Sequence, residues 1–198
     1  MAEAPKALRV FLVGDRSVVV AGPADITREV CDAIVNAANS SLMGGGGVDG
    51  AIHRAGGPAI LEACKEVIAR QGYLPAGKAV ATVGGRLTAK YVIHTVGPVW
   101  SGGHVNEPEI LASCHRESIR VADELGLRTI AFPAISTGIY GYPLDLAAQV
   151  AVASAAEALQ RAIHVRQVMF VLFNMGAWLH FSNAARAYAE SKSLKTDS

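Results

Sequence analysis

The sequence predicts an α/β protein: a three-layer α/β/α sandwich around a mixed central sheet, antiparallel at its N-terminal edge. Three observations lead there. Short β-branched runs alternate with longer amphipathic stretches along most of the chain, the pattern of strands joined by covering helices. The runs "YVIHTV" and "VMFVLF" are apolar almost throughout, as strands buried on both faces are. The first two strands are separated only by a short Gly-Asp turn, so they pair antiparallel as a hairpin.

The elements follow in order. "LRVFLV" (8–13) and "SVVVA" (17–21) are the hairpin strands, and "DAIVNAA" (32–38) is an apolar run ending in polar residues. Residues 48–72 carry helical spacing, broken at Gly56-Gly57-Pro58 and closed by Gly72; Pro58 suits the first turn of the second helix. "KAVATV" (78–83) and "KYVIHTV" (90–96) are strands, and 107–126 is a helix with Gly126 as its stop. A strand at 128–135, a helix at 143–162 opened by Pro143, a strand at 166–173 and a helix at about 177–190 complete the pattern. Residues 1–190 form one domain, and the polar tail "SKSLKTDS" (191–198) is expected to fray.

Composition narrows the function. The 198 residues are 51% hydrophobic and 18% charged, enough for one full core and too few for two comfortable ones. Lys+Arg of 18 against Asp+Glu of 17 leaves no basic excess to advertise nucleic acid as the main partner. Cys31, Cys64 and Cys114 are odd in number and far apart, which argues for a reducing compartment and against disulfides or zinc. The six histidines form no metal-binding spacing, and neither metal nor cofactor is demanded. The N-terminus lacks a signal-peptide pattern, and no apolar run is long enough for a membrane span. The expectation is a cytoplasmic monomer with no membrane association.

The chemistry concentrates in "NAANSSLMGGGGVDGAIHRAGG" (36–57). Four consecutive glycines lose much conformational freedom on folding, so a close backbone approach to a ligand is the functional explanation. The match to Gly45-x-Gly47-x-x-Gly50 is a weak dinucleotide fingerprint, because "NSSLM" separates strand from glycines. No Lys-Ser/Thr follows the last glycine, so the Walker A pattern fails. What remains is a glycine loop leading into a helix whose free N–H groups and dipole suit an anion. "ISTGIYGYP" (135–143) is a second loop of this kind, between a buried strand and a helix. Two anion-ready loops at strand ends suit a ligand with two phosphates.

At these residues a resemblance enters. "DAIVNAANSSLMGGGGVDGAIHRAGG", "KYVIHTVGP" and "IAFPAISTGIYGYP" closely resemble the macrodomain family, in particular its MacroD-type ADP-ribosyl hydrolases, in order from about residue 17 to 175. The resemblance implies the macrodomain fold and an ADP-ribose ligand. It implies that Asp25, in "GPADIT", meets the adenine amino group with the Ile26 backbone alongside; Ala24 stands where the family usually has Gly. The alternative for Asp25 is a turn or helix cap. Gly46, Gly47 and Val48 would form the first phosphate loop, and Ser136, Thr137, Gly138, Ile139 and Tyr140 the second. Phe173 is either the aromatic that stacks on adenine or a core residue.

Asn39 carries an amide suited to ribose hydroxyls. Asp49 lies in the first helical turn with His53 four residues on, on the same face. Asn39, Asp49 and His53 are therefore the catalytic candidates, Asp49 orienting a ribose hydroxyl or polarising water, or else simply pairing with His53; a substrate phosphate is the other candidate to hold the water. The implied activity is removal of mono-ADP-ribose from acidic side chains of proteins and deacetylation of O-acetyl-ADP-ribose. Mono-ADP-ribosylated proteins, O-acetyl-ADP-ribose and ADP-ribosylated nucleic acid ends are the candidate partners. The alternatives are a non-catalytic ADP-ribose reader and an ADP-ribose phosphate phosphatase.

Overall fold

A computed structural model describes residues 6–197. Its strands are β1 (Lys6–Phe11), β2 (Ser17–Gly22), β3 (Ala33–Ala37), β4 (Ala79–Val83), β5 (Tyr91–Thr95), β6 (Thr129–Phe132), β7 (Gln167–Val171) and β8 (Thr196–Asp197). Its helices are α1 (Gly47–Gly56), α2 (Pro58–Gln71), α3 (Glu107–Glu124), α4 (Leu144–Arg161) and α5 (Met175–Ser191). The sheet order is β4-β5-β3-β6-β7-β2-β1-β8. The five central strands, β5 to β2 in that order, are parallel, while β4, β1 and β8 are antiparallel to their neighbours.

Alternation along the strands sorts side chains into two cores, because successive residues of a strand point to opposite faces. Ala33 and Val35, Ile130 and Phe132, and Val168 and Phe170 join one core with α3, α4 and α5. Ile34, Ala131, Met169 and Val171 join the other, with Ile52 of α1 and Ile60, Cys64 and Val67 of α2. The three-layer sandwich is thus as the sequence predicts. Its aromatic centre is Phe132, Phe170 and Phe181, with ring centroids 5.8 and 5.1 Å apart, and His115 stacked 5.0 Å from Phe132.

Two expectations need correction. The sheet is antiparallel at both edges, since β4 pairs antiparallel with β5. Through Asp197 the tail does not fray: β8 pairs with Arg9 and Val10 of β1, and the Phe11 amide donates to the Lys195 carbonyl at 2.9 Å. The Leu194 side chain packs against the larger core and holds the tail close enough to pair.

Two buried histidines make stability depend on pH. Burial lowers His94 to about 3, helped by neighbouring His53, and lowers His115 to about 4. In the unfolded chain both protonate near pH 6.5. Below that pH the unfolded state binds protons that the folded state refuses, so stability is complete above about pH 6.5 and declines on acidification by about 1.4 kcal/mol per pH unit for each histidine. The melting temperature is expected to fall between about pH 7.5 and about pH 5.5, before most carboxylates titrate. An unchanged melting temperature over that interval would contradict the neutral burial of both rings.

Candidate active site

The loops that follow β2, β3, β5, β6 and β7 lie at the C-terminal ends of the five parallel strands, where open α/β sheets bind ligands. Every residue singled out in the sequence lies in these loops or in the elements that flank them.

The first loop runs from Asn39 to the start of α1. Asn39 Nδ2 donates to the Gly44 carbonyl at 2.9 Å, and Asn39 Oδ1 accepts from the Ser41 amide at 3.2 Å and the Ser41 hydroxyl at 2.6 Å. Its acceptor is therefore occupied, and one amide hydrogen remains free. Gly47 has φ +57° and open space around its α-carbon, a conformation that costs glycine little. The amides of Gly45 to Asp49 donate to no backbone carbonyl among the described residues, as expected for the first turn of a helix.

Asp49 is 5% exposed. Its Oδ1 accepts from Asn36 Nδ2 at 2.7 Å and lies 3.4 Å from His53 Nε2, a contact without hydrogen-bond alignment. Its Oδ2 is 3.1 Å from where a side chain on Gly45 would begin, and Asn39 Nδ2 is 3.6 Å from the same point. Asn39 and Asp49 thus converge on Gly45, and only the absence of a side chain there keeps the space between them open.

The second loop follows β6. Ser136 is buried with φ +65°, a left-handed conformation uncommon outside glycine. Its carbonyl accepts from the Tyr142 amide at 2.9 Å, and Thr137 Oγ1 donates to the Ala134 carbonyl at 2.9 Å. These bonds turn the loop so that the amides of Gly138, Ile139 and Tyr140 have no backbone acceptor among the described residues. The Tyr140 carbonyl is taken by the Trp100 amide at 2.8 Å, tying this loop to the one after β5. Ile139 is 91% exposed, and its Cδ1 lies 3.9 Å from the side-chain position of Gly46. The two amide-lined loops face one another across that gap.

Phe173 is 81% exposed at the end of β7, so it is not a core residue. The Ala24 amide donates to the Leu172 carbonyl at 2.8 Å, placing the Asp25 loop beside it. Asp25 is a cap: its Oδ1 accepts from the Thr27 amide at 2.9 Å and the Thr27 hydroxyl at 2.7 Å, holding the single helical turn Ile26–Arg28. Oδ2 is 3.8 Å from Arg28 Nε, and the Asp25 side chain is 45% exposed. Ile26 buries its side chain, and Val48 packs against the smaller core.

A buried polar cluster under Asp49 was not singled out from the sequence. Asn36 and His94 are register partners on β3 and β5 and both are fully buried. Thr82 Oγ1 stands 2.8 Å from His94 Nε2. The available signal was a polar residue in each of the apolar runs "AIVN" and "YVIHTV". Cys64 Sγ is 3.7 Å from His94 Nε2, but burial lifts its thiol to about 11, as it lifts Cys114, so neither supplies a thiolate near neutral pH. No group of three or more His, Cys, Asp and Glu able to hold a metal occurs among the described residues. No helix there is long and apolar enough to cross a membrane.

Comparison with known proteins decides the family. The Macro domain model matches residues 35–151. The chain belongs to the Macro domain family. This macrodomain is 53% identical over 166 residues to the O-acetyl-ADP-ribose deacetylase of Cronobacter turicensis, covering 84% of this chain and 94% of that one. It superposes on the Oceanobacillus iheyensis macrodomain with ADP at a TM-score of 0.89 and 37% identity, over 96% of this chain and 100% of that one. A variant of the same Oceanobacillus iheyensis macrodomain with ADPR matches at a TM-score of 0.87 and 37% identity, covering 92% and 99%.

Proposed function

We propose that this macrodomain is an ADP-ribose-binding hydrolase that deacetylates O-acetyl-ADP-ribose and removes mono-ADP-ribose from acidic side chains of proteins. The observation that carries this reading is the convergence of Asn39 and Asp49 Oδ2 on the open space at Gly45, beside two loops whose amides have no backbone acceptor among the described residues. Relatives named O-acetyl-ADP-ribose deacetylase, and related structures with ADP and ADPR, support it.

In this arrangement adenine stacks on exposed Phe173 while Asp25 Oδ2 accepts from its amino group and the Ile26 amide lies alongside. The amides at Gly46, Gly47 and Val48 take one phosphate, and those at Gly138, Ile139 and Tyr140 the other, with Ser136 and Thr137 shaping the turn. The distal ribose then falls between the loops at Gly45. Asp49 Oδ2 accepts from a ribose hydroxyl and Asn39 donates its remaining amide hydrogen, while His53 packs against Oδ1. Water adds to the carbonyl carbon of the ester, the bond from that carbon to the ribose oxygen breaks, the acid keeps the water oxygen, and the ribose oxygen leaves with one of the water's protons. The loop amides stabilise the negative charge that develops.

Incubation with O-acetyl-ADP-ribose tests the enzymatic part: acetate and ADP-ribose should appear together with turnover. ADP-ribose without the acetyl group should bind one molecule per chain in calorimetry and raise the melting temperature, and AMP should bind more weakly. Absence of ADP-ribose binding at saturation would overturn the site assignment.

Asp25→Ala separates binding from chemistry. Losing an acceptor for adenine, and with it the cap on Ile26–Arg28, should weaken ADP-ribose affinity by about 1–3 kcal/mol. The rate at saturating substrate should change little, because adenine lies far from the bond that breaks. A collapse of kcat at unchanged affinity would move Asp25 to another role.

A further inference from the structure

We infer that Asn36, backed by His94 and Thr82, is a positioning residue that fixes the Asp49 carboxylate with one oxygen held in the sheet and the other turned to the glycine loop. The inference rests on the functional reading above and adds to it three residues that do not reach the cleft.

The hydrogen-bond inventory of the cluster admits one arrangement. Asn36 Nδ2 carries two hydrogens; one goes to Asp49 Oδ1 at 2.7 Å and the other to His94 Nδ1 at 3.1 Å. His94 Nδ1 must then be bare and Nε2 protonated, donating to Thr82 Oγ1 at 2.8 Å. Thr82 passes its own hydrogen to the Val83 carbonyl at 3.3 Å. Reversing the Asn36 amide would set its oxygen against a carboxylate oxygen. Protonating His94 at Nδ1 would set N–H against N–H. Burial already keeps this ring neutral.

This chain runs through β4, β5 and β3 to α1, and Asn36 and His94 are 0% exposed. Asn36 Oδ1 is buried without a partner among the described residues. A position chosen only for stability in the middle of a buried sheet would take an apolar side chain, since an unpartnered acceptor there is unfavourable. The amide is therefore kept for what it does to Asp49. With Oδ1 bound, the carboxylate cannot rotate freely, and Oδ2 stays beside Gly45.

Steady-state kinetics on O-acetyl-ADP-ribose, paired with ADP-ribose calorimetry, test this in the wild type, Asn36→Ala and Thr82→Val. Asn36→Ala should lower kcat roughly 10- to 100-fold, the cost of a misplaced group in an oriented site, with KM and ADP-ribose affinity within about threefold. Thr82→Val, nearly isosteric, should lower kcat by roughly two- to fivefold in the same pattern. Calorimetric stoichiometry counts binding-competent molecules, so a loss of folded protein is corrected for. Wild-type kcat per competent site in both variants would overturn the positioning role, as would a loss confined to KM. Should Asn36→Ala fail to fold, Thr82→Val decides alone: a kcat equal to wild type overturns the inference. No turnover by the wild type would overturn the functional reading itself, and this inference with it; turnover by the wild type and by both variants alike overturns only the inference.

Discussion

Asp49→Ala is expected to lower kcat for ester-linked ADP-ribose by roughly 100-fold or more, the size seen when an oriented polar group is lost from a reacting centre, while ADP-ribose affinity changes by less than about tenfold. In the proposed arrangement adenine and the two phosphates carry most of the binding, through Phe173, Asp25 and the loop amides. In that arrangement Asp49 Oδ2 meets the sugar where the bond breaks, so its contribution should be realised mainly in the transition state and appear in the rate. Asn39→Ala should behave alike for a second reason: Asn39 Nδ2 also holds the Gly44 carbonyl, so the loop beside the ribose loosens. Because both side chains act at the single space beside Gly45, the double variant should be little worse than the poorer single one, a non-additive result. Parallel kinetics and calorimetry on the three variants check this. Loss of affinity matching the loss of rate would make both residues ordinary binding groups.

Gly46→Val should act on binding instead, weakening ADP-ribose affinity by roughly 100-fold, or about 2.8 kcal/mol. The backbone permits the change, since Gly46 has φ −90° and ψ −172°, an extended conformation open to valine. Its β-carbon meets only Ile139 Cδ1 at 3.9 Å, so folding is spared. The branched methyl groups then fill the gap between the two loops, where the proposed arrangement puts the phosphates. Circular dichroism should match the wild type while calorimetry shows the loss. An unchanged affinity would remove the ligand from between these loops. Gly50→Ala makes a contrasting control, because its β-carbon would stand 2.5 Å from the Gly45 carbonyl and displace the loop itself.

The sequence carries most of the fold because its signals are local. The break at Gly56-Gly57-Pro58 lies where α1 gives way to α2, and Gly72 caps α2. Ends moved where a local group intervened. The strand expected at 128–135 stops at Phe132, before Pro133, which has no N–H for a ladder. The last helix starts at Met175 because Asn174 caps it, accepting from the Ala177 amide at 2.9 Å. The antiparallel pairing of β4 with β5 is implicit in their short connection, which cannot hold a parallel crossover, whereas the capture of the tail by β1 is a tertiary event with no short-range signature.

The candidate site divides the same way. Its loops are legible because glycine clusters and a Ser-Thr-Gly turn are continuous in sequence, and Asp49 and His53 are four residues apart on one helix. The support under Asp49 is not legible, because Asn36 and His94, separated by 58 positions, meet only through the parallel register of β3 and β5. Nor does the sequence tell that the acceptor of Asn39 is already engaged by Ser41.

The most direct test of the central claim, that one site both holds ADP-ribose and cleaves the bond to it, is label release from a protein carrying mono-ADP-ribose on aspartate or glutamate, with ADP-ribose binding measured on the same preparation. Wild-type protein should bind ADP-ribose and release labelled ADP-ribose with repeated turnover. Protein that binds ADP-ribose yet releases no label from the acidic-linked target, and no acetate from O-acetyl-ADP-ribose, would be a reader of ADP-ribose and contradict the assignment of a hydrolase.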